Sequence, residues 1–315
     1  MLARIVVRNF STAGKKAGFV GLGNMGLPMA NNLMKAGFTV KGFDLSEKTL
    51  EAAGKAGITP CTKVSDAVAD VDFVVTALPR TQDVEKVLHM EGGIFESASK
   101  GTVVCDTSTI SPIAAKAFHA EAKKHDLLFC DTPMSGGIMG AQAGTLTFMV
   151  GAANDDEFEK CRPVLEGMGK KLFNCGGPGN GEIAKICNNL ILGIQMVAVS
   201  EGFALGTKLG IDAKTMQEIF TVSTSKCWCT DAANPVPGAF VPSPASNGYQ
   251  GGFGTSLIRK DLTLGLECAD EVGVKTEFAK NAMEYFLALE KAGHGGKDFG
   301  VVYQYVLKDL EAKNI

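Results

Sequence analysis

The sequence predicts an α/β domain built on a mostly parallel sheet, followed by an all-α domain joined to it by a long helix. Three observations predict it. Short apolar runs alternate with helical patterns through the first half of the chain, a glycine-rich turn joins the first run to the first helix, and beyond residue 176 only helical spacing recurs.

Residues 17–23 form an apolar run that closes on glycines, and residues 24–36 follow with Met25, Met29, Leu33 and Met34 on related helical faces. A second apolar run, 38–43, ends at Asp44. Further strand-like runs are 73–78, 102–106, 127–131 and 146–151, separated by helix-like stretches at 46–56, 82–89, 112–124 and 155–168. The glycine-rich segment 176–181 breaks this rhythm. Residues 182–209 then read as one helix, roughly 40 Å long at about 1.5 Å per residue. It is apolar on most faces from Ile186 to Leu205, a pattern that suits burial between domains or subunits. A proline-rich loop at 234–246 and a polar, glycine-rich turn at 247–254 precede helices near 255–272, 276–292 and 297–312. The expected domains are a dinucleotide-binding domain over 16–176 and a helical substrate and dimerisation domain over 177–315.

A chain of 315 residues is comfortable for two domains. Its net charge of −3, with one Trp and four Tyr, gives no basic, aromatic surface for nucleic acid, so that class of partner is excluded. Nine cysteines occur without a repeated spacing, and the close pair Cys227 and Cys229 lacks the second pair a structural zinc site needs. Reduced cysteines used as small core residues are expected, with no metal, in a reducing compartment. Arg4, Arg8, Lys15 and Lys16 lie near the start, and no acid precedes Asp44. This resembles a mitochondrial presequence over 1–15, cut near Ser11, and predicts the mitochondrial matrix; a basic tail is the alternative. No segment reaches eighteen uninterrupted apolar residues, so no membrane span is expected.

The first chemical motif is Gly21-Leu22-Gly23-Asn24-Met25-Gly26. It follows a strand, opens a helix, and has Asp44 at the end of the next strand. The first two glycines suit a tight turn and close approach of a pyrophosphate; the third suits helix–strand packing. The phosphates would sit at the helix N-terminus. These features make the first domain Rossmann-like. Asp44 suits the 2′-hydroxyl of an adenosine ribose, and with no Arg in 45–47 it favours NAD over NADP. A helix-capping role is open to the same side chain.

The second motif pairs Lys185 with Asn189, one turn apart on one face of the long helix. A lysine entering so apolar a helix loses hydration, which lowers an amine's pKa towards a range useful for proton transfer; snorkelling to solvent is the alternative. The third motif runs Asp131-Thr132-Pro133-Met134-Ser135-Gly136-Gly137. A serine before two glycines can aim several donors at an anion, here a substrate carboxylate, or simply form a tight turn. His89, His119, His125 and His294 lie in polar, helix-like or loop-like surroundings away from these motifs. Surface positions are expected for all four.

In order and spacing these three motifs, with Pro28 to Leu33 after the glycines, resemble the β-hydroxyacid dehydrogenase family over nearly the whole chain after the presequence. Within it, Cys227-Trp228 and the segments 234–237 and 247–253 resemble the members that act on 3-hydroxyisobutyrate. The resemblance implies Lys185 as the acid/base, Asn189 as a substrate holder, and Ser135, Gly136 and Gly137 as carboxylate binders. It implies Leu78, Pro79 and Thr109 on the nicotinamide side and Lys260 approaching the cofactor. Asp83 stands where the family often has Asn, and Thr132 replaces a usual Ala. The implied reaction is NAD-dependent oxidation of a small 3-hydroxy acid to its semialdehyde, as in valine catabolism, by a homodimer or homotetramer. Reduction of another small semialdehyde, or silent NAD binding, are the competing readings.

Overall fold

The structure, a computed structural model, describes residues 14–308. The expected presequence cut near Ser11 lies outside the described residues. Two compact units divide at Lys185 and Ile186.

The first unit runs β1 (Lys16–Val20), α1 (Gly26–Lys35), β2 (Thr39–Phe43), α2 (Glu47–Lys55), β3 (Thr59–Cys61), α3 (Val64–Val68), β4 (Phe73–Thr76), α4 (Thr81–His89), α5 (Ile94–Ser97) and β5 (Val103–Asp106). It continues through α6 (Pro112–Ala122), β6 (Leu128–Asp131), β7 (Met134–Ser135), α7 (Gly137–Ala143), β8 (Leu146–Gly151), α8 (Asp155–Glu166) and β9 (Gly169–Gly176). The strands form one sheet in the order β3-β2-β1-β4-β5-β6-β8-β7, with β9 paired to β8. Pairing is parallel from β3 to β6; β8 runs antiparallel to β6 and β7 and parallel to β9.

The central strands are buried on both faces, which is why they read as unbroken apolar runs. Successive side chains go to opposite cores. Phe19, Val75, Cys105 and Cys130 join Leu33, Phe148 and Val164 on one face, while Val20, Val74, Val104 and Phe129 join Ile94 and Phe118 on the other. Helix starts follow local chemistry: Ser46 caps α2, Ser111 caps α6 ahead of Pro112, and Asn154 caps α8.

The second unit contains most of α9 (Asn180–Lys208), then α10 (Ala213–Val222), α11 (Trp228–Asp231), α12 (Thr255–Glu271), α13 (Glu277–Leu289) and α14 (Val302–Val306). Its core gathers Met196, Ile258, Leu262, Phe286, Leu289, Phe299 and Val302. By length and composition alone α9 is apolar enough to cross a bilayer: its most apolar eighteen-residue window has a mean hydropathy of 1.5, and 44% of that window is buried inside the protein.

Several elements escape the sequence pattern. β3 has three residues including Pro60, β7 has two, and β9 is an exposed strand whose inward side chains do not alternate cleanly. The expected last helix over 297–312 is much shorter. Asp298 accepts from the Gly300 amide, a 3₁₀ turn follows at Phe299–Val301, and regular helix covers only α14 within the described residues.

Candidate active site

The carboxyl ends of the parallel strands bring Gly21 to Gly26, Asp44, Leu78, Pro79 and Thr109 to one edge of the sheet, whereas Lys260 lies on α12 of the second unit. The chain order reverses between β1 and β4, and ligands of open α/β sheets bind in the crevice at such a switch point. Gly21 stands there with φ +93°, its amide donating to the Phe43 carbonyl (2.9 Å), and a methyl on it would press on the Ala77 carbonyl and Leu78. A methyl on Gly26 would overlap the Gly21 carbonyl oxygen, so α1 can start only on glycine. Gly23 differs: a methyl there would meet no protein atom within 4 Å. Protein packing does not require that glycine, whereas an approaching phosphate does, so the loop fits a dinucleotide.

Asp44 directly follows β2 and organises the same loop. Its Oδ2 accepts from the Leu22 amide (2.7 Å) and its Oδ1 from the Ser46 amide (2.8 Å). The capping alternative is therefore realised in part, since Ser46 itself caps α2 and Asp44 holds Ser46. Each carboxylate oxygen keeps lone-pair capacity for a ribose hydroxyl.

Leu78 and Pro79 follow β4, and the Leu78 amide donates to Ser108 Oγ (2.9 Å), beside Thr109 in the loop after β5. Asp83 lies in the first turn of α4 and is forked to Arg80, Nε–Oδ2 and Nη2–Oδ1 both 2.8 Å. That ion pair holds its carboxyl below the usual carboxylate range.

The loop after β7 is anchored by that strand, where Ser135 pairs with Thr147 of β8. Gly136 (φ +137°) and Gly137 (φ +60°) then turn the backbone into α7 through conformations L side chains rarely adopt. A methyl on Gly137 would meet nothing within 4 Å, so that face of the loop is open. Asn32 of α1 donates to the Ala141 carbonyl (2.6 Å), tying α1 to α7 through a buried amide.

Lys185 lies in the second turn of α9 and is only 9% exposed, so snorkelling to solvent is not how it is accommodated. Asn189, one turn on, is 1% exposed and donates to Asp261 Oδ2 (2.5 Å), while Asn188 donates to its Oδ1 (2.9 Å). Lys260 pairs with the other Asp261 oxygen (3.0 Å), so Asp261 links the two expected residues of the second unit.

A cavity of about 870 Å³ opens at the opposite, amino edge of the sheet, between Lys16, Asp72, Lys100 and Asp156. None of the residues above lines it, and the converging strand ends outweigh its size.

Two family models match, the NAD binding domain of 6-phosphogluconate dehydrogenase over residues 16–177 and the NAD-binding domain of NADP-dependent 3-hydroxyisobutyrate dehydrogenase over 179–306. The Dictyostelium discoideum protein described as probable mitochondrial 3-hydroxyisobutyrate dehydrogenase is 42% identical, with 98% of this chain and 96% of that one aligned. The chain belongs to the β-hydroxyacid dehydrogenase family. It is an NAD-dependent dehydrogenase. An NAD-dependent L-serine dehydrogenase of Pseudomonas aeruginosa is 40% identical, covering 91% of this dehydrogenase and 96% of its own length. The solved Mycobacterium tuberculosis 3-hydroxyisobutyrate dehydrogenase with L-serine superposes with a TM-score of 0.85 at 37% identity, covering 93% and 99% of the two chains.

The dehydrogenase departs from one expectation about its histidines. His119 is not a surface residue: it is 3% exposed and its Nε2 lies 2.8 Å from Asp131 Oδ1. The signal was its position, since Ala115, Phe118, His119 and Ala122 share the inward face of α6. His89 keeps a partly exposed place, with its Nε2 2.9 Å from Glu121. Asp106, the register partner of Asp131 on the adjacent strand, is also buried. Burial pushes its carboxyl up, against hydrogen bonds from Ser108 and Thr76.

Proposed function

We propose that this dehydrogenase oxidises 3-hydroxyisobutyrate to methylmalonate semialdehyde in the mitochondrial matrix, as a step of valine catabolism. The observation that carries the mechanism is the burial of Lys185 in the second turn of α9. The neutral amine of Lys185 is the form that can take a proton. Lys185 accepts the substrate's hydroxyl proton, and in reverse its ammonium donates to the forming alcohol. Ser135 Oγ and the amides of Gly136 and Gly137 hold the carboxylate, and Asn189 helps to hold the substrate. NAD, when bound, supplies the acceptor for the carbon-bound hydrogen. Its proposed contacts are Gly21 to Gly26, Asp44, Leu78, Pro79 and Thr109, with Asp83 and Lys260 completing the set.

A second reading has specific support. L-serine shares the 3-hydroxy carboxylate skeleton and differs at carbon 2, where an ammonium replaces a methyl. One relative at 40% identity is named for serine, and one solved relative at 37% carries it in its title. NADH formation by the purified chain with each acid in parallel decides between them. We expect 3-hydroxyisobutyrate to give the higher kcat/KM by at least tenfold, about 1.4 kcal/mol; preference for L-serine would reverse the substrate assignment.

Cofactor choice follows from Asp44. A carboxylate against a 2′-phosphate is a like-charge contact costing on the order of several kcal/mol, so NAD should outperform NADP by well over tenfold. Asp44→Ser should narrow that ratio, and equal use of both cofactors by the unaltered protein would remove Asp44 as its determinant.

Matrix import is supported by Arg4, Arg8, Lys15 and Lys16 and by relatives named mitochondrial. Intact-mass analysis of the protein from its own cells should place the mature start near Ser11. A start at Met1 would count against import by a cleaved presequence.

A further inference from the structure

We infer that Asp131, held by His119, is a positioning residue for catalysis: it clamps the start of α9 to the end of β6 and so sets where Lys185 stands relative to the strand end that leads into the Ser135–Gly137 loop. The inference rests on the reading of Lys185 as the acid/base.

Asp131 is fully buried, yet its carboxylate has three polar partners. Oδ1 accepts from the Gly179 amide (2.9 Å) and meets His119 Nε2 (2.8 Å). Oδ2 accepts from the Glu182 amide (3.0 Å). Gly179 and Glu182 flank the first turn of α9, so a side chain from the sheet performs the capping that a helix normally receives from its own flanking residues. An anion there also opposes the positive end of a 29-residue helix.

The slot is built to fit. A methyl on Gly151 would overlap the Asp131 carboxylate, and one on Gly181 would press on its Oδ2 and on the Met149 and Asp131 carbonyls. Helix and strand therefore approach as closely as their backbones allow. His119 is fixed in turn by the edge-to-face ring of Phe129, 5.2 Å away between centroids. Glu182 adds a second brace, its Oε2 accepting from the Ile110 amide next to Thr109 (3.2 Å). Lys185 stands three residues after Glu182, one turn up the same face. Ser135 stands four residues after Asp131 along the chain. One carboxylate thus fixes the element bearing the acid/base and begins the loop that holds the substrate, and small misplacements of reacting groups are costly in rate.

The test compares Asp131→Asn, His119→Phe and His119→Gln with Lys185→Ala in the full-length protein. Measured quantities are kcat and KM with 3-hydroxyisobutyrate, NAD affinity, melting temperature, and the deuterium isotope effect on kcat. Asn keeps the shape of Asp131 but removes the charge and one acceptor; Phe removes the donor of His119; Gln can restore it. We expect kcat per folded enzyme to fall at least tenfold for Asp131→Asn and His119→Phe, with a larger isotope effect. NAD affinity should stay within about threefold, because the dinucleotide loop hangs on β1, and His119→Gln should recover most of kcat. A purely structural role would lower the melting temperature and leave kcat per folded enzyme and the isotope effect unchanged, and that result overturns the clamp. If Asp131→Asn fails to fold, the His119 pair decides by the same criterion. Loss of turnover in Lys185→Ala alongside full turnover in the other variants overturns the clamp alone; full turnover in Lys185→Ala overturns the acid/base reading and the clamp with it.

Discussion

Lys185→Ala should lose about 10²–10⁴ of turnover, the range typical of a positioned general acid/base. Steady-state NADH formation at saturating substrate and NAD reads this directly. NAD affinity should be nearly unchanged, because the phosphates are assigned to Gly21–Gly26 at the end of β1, whereas Lys185 belongs to α9. Lys185→Arg should rescue poorly. A guanidinium matches the charge of a protonated lysine but stays protonated near neutral pH and cannot accept the hydroxyl proton. Near-normal turnover of Lys185→Ala would place the acid/base elsewhere.

Replacing the glycines of the cofactor loop should separate two reasons for glycine. Gly26→Ala drives a methyl into the Gly21 carbonyl, a backbone atom that cannot swing aside. Overpacking of this kind costs about 1–3 kcal/mol, so the melting temperature should drop, and NAD affinity should fall because the turn itself must shift. Gly23→Ala adds a methyl that meets no protein atom within 4 Å. Its melting temperature without cofactor should match that of the unaltered protein, while NAD affinity falls on the order of tenfold or more, about 1.4 kcal/mol. Calorimetric titration and thermal melts of both variants check the contrast. A Gly23→Ala protein that binds NAD normally would show that no phosphate approaches that position.

What was legible in the sequence follows from which interactions are local. The strand–turn–helix around Gly21–Gly26 is written in a few consecutive residues, as are the caps at Ser46, Ser111 and Asn154. The apolar runs of β4 and β5 were legible because both faces of the sheet are covered. β3 and β9 were not, since a three-residue strand has no period and an exposed strand has no clean alternation. The site shows the same division. Lys185 and Asn189 sit one turn apart in sequence, so their common helix face could be read. The partner of Asn189 is Asp261, 72 residues away, and the partners of Asp131 are His119 behind it and Gly179 and Glu182 far ahead. Only folding brings those together. His119 shows the limit of residue type as a guide: a histidine suggests the surface, but its spacing from Ala115, Phe118 and Ala122 puts it on the buried face of α6.

The most direct test of Lys185 as the acid/base of an NAD-dependent alcohol oxidation is the pH profile of kcat for the unaltered protein and Lys185→Ala, measured on the same acid. Oxidation requires the neutral amine, so turnover of the unaltered protein should rise with pH as Lys185 loses its proton and then level off. The residual rate of Lys185→Ala should lack that rising limb. A limb of the same height and midpoint in both proteins would contradict the assignment.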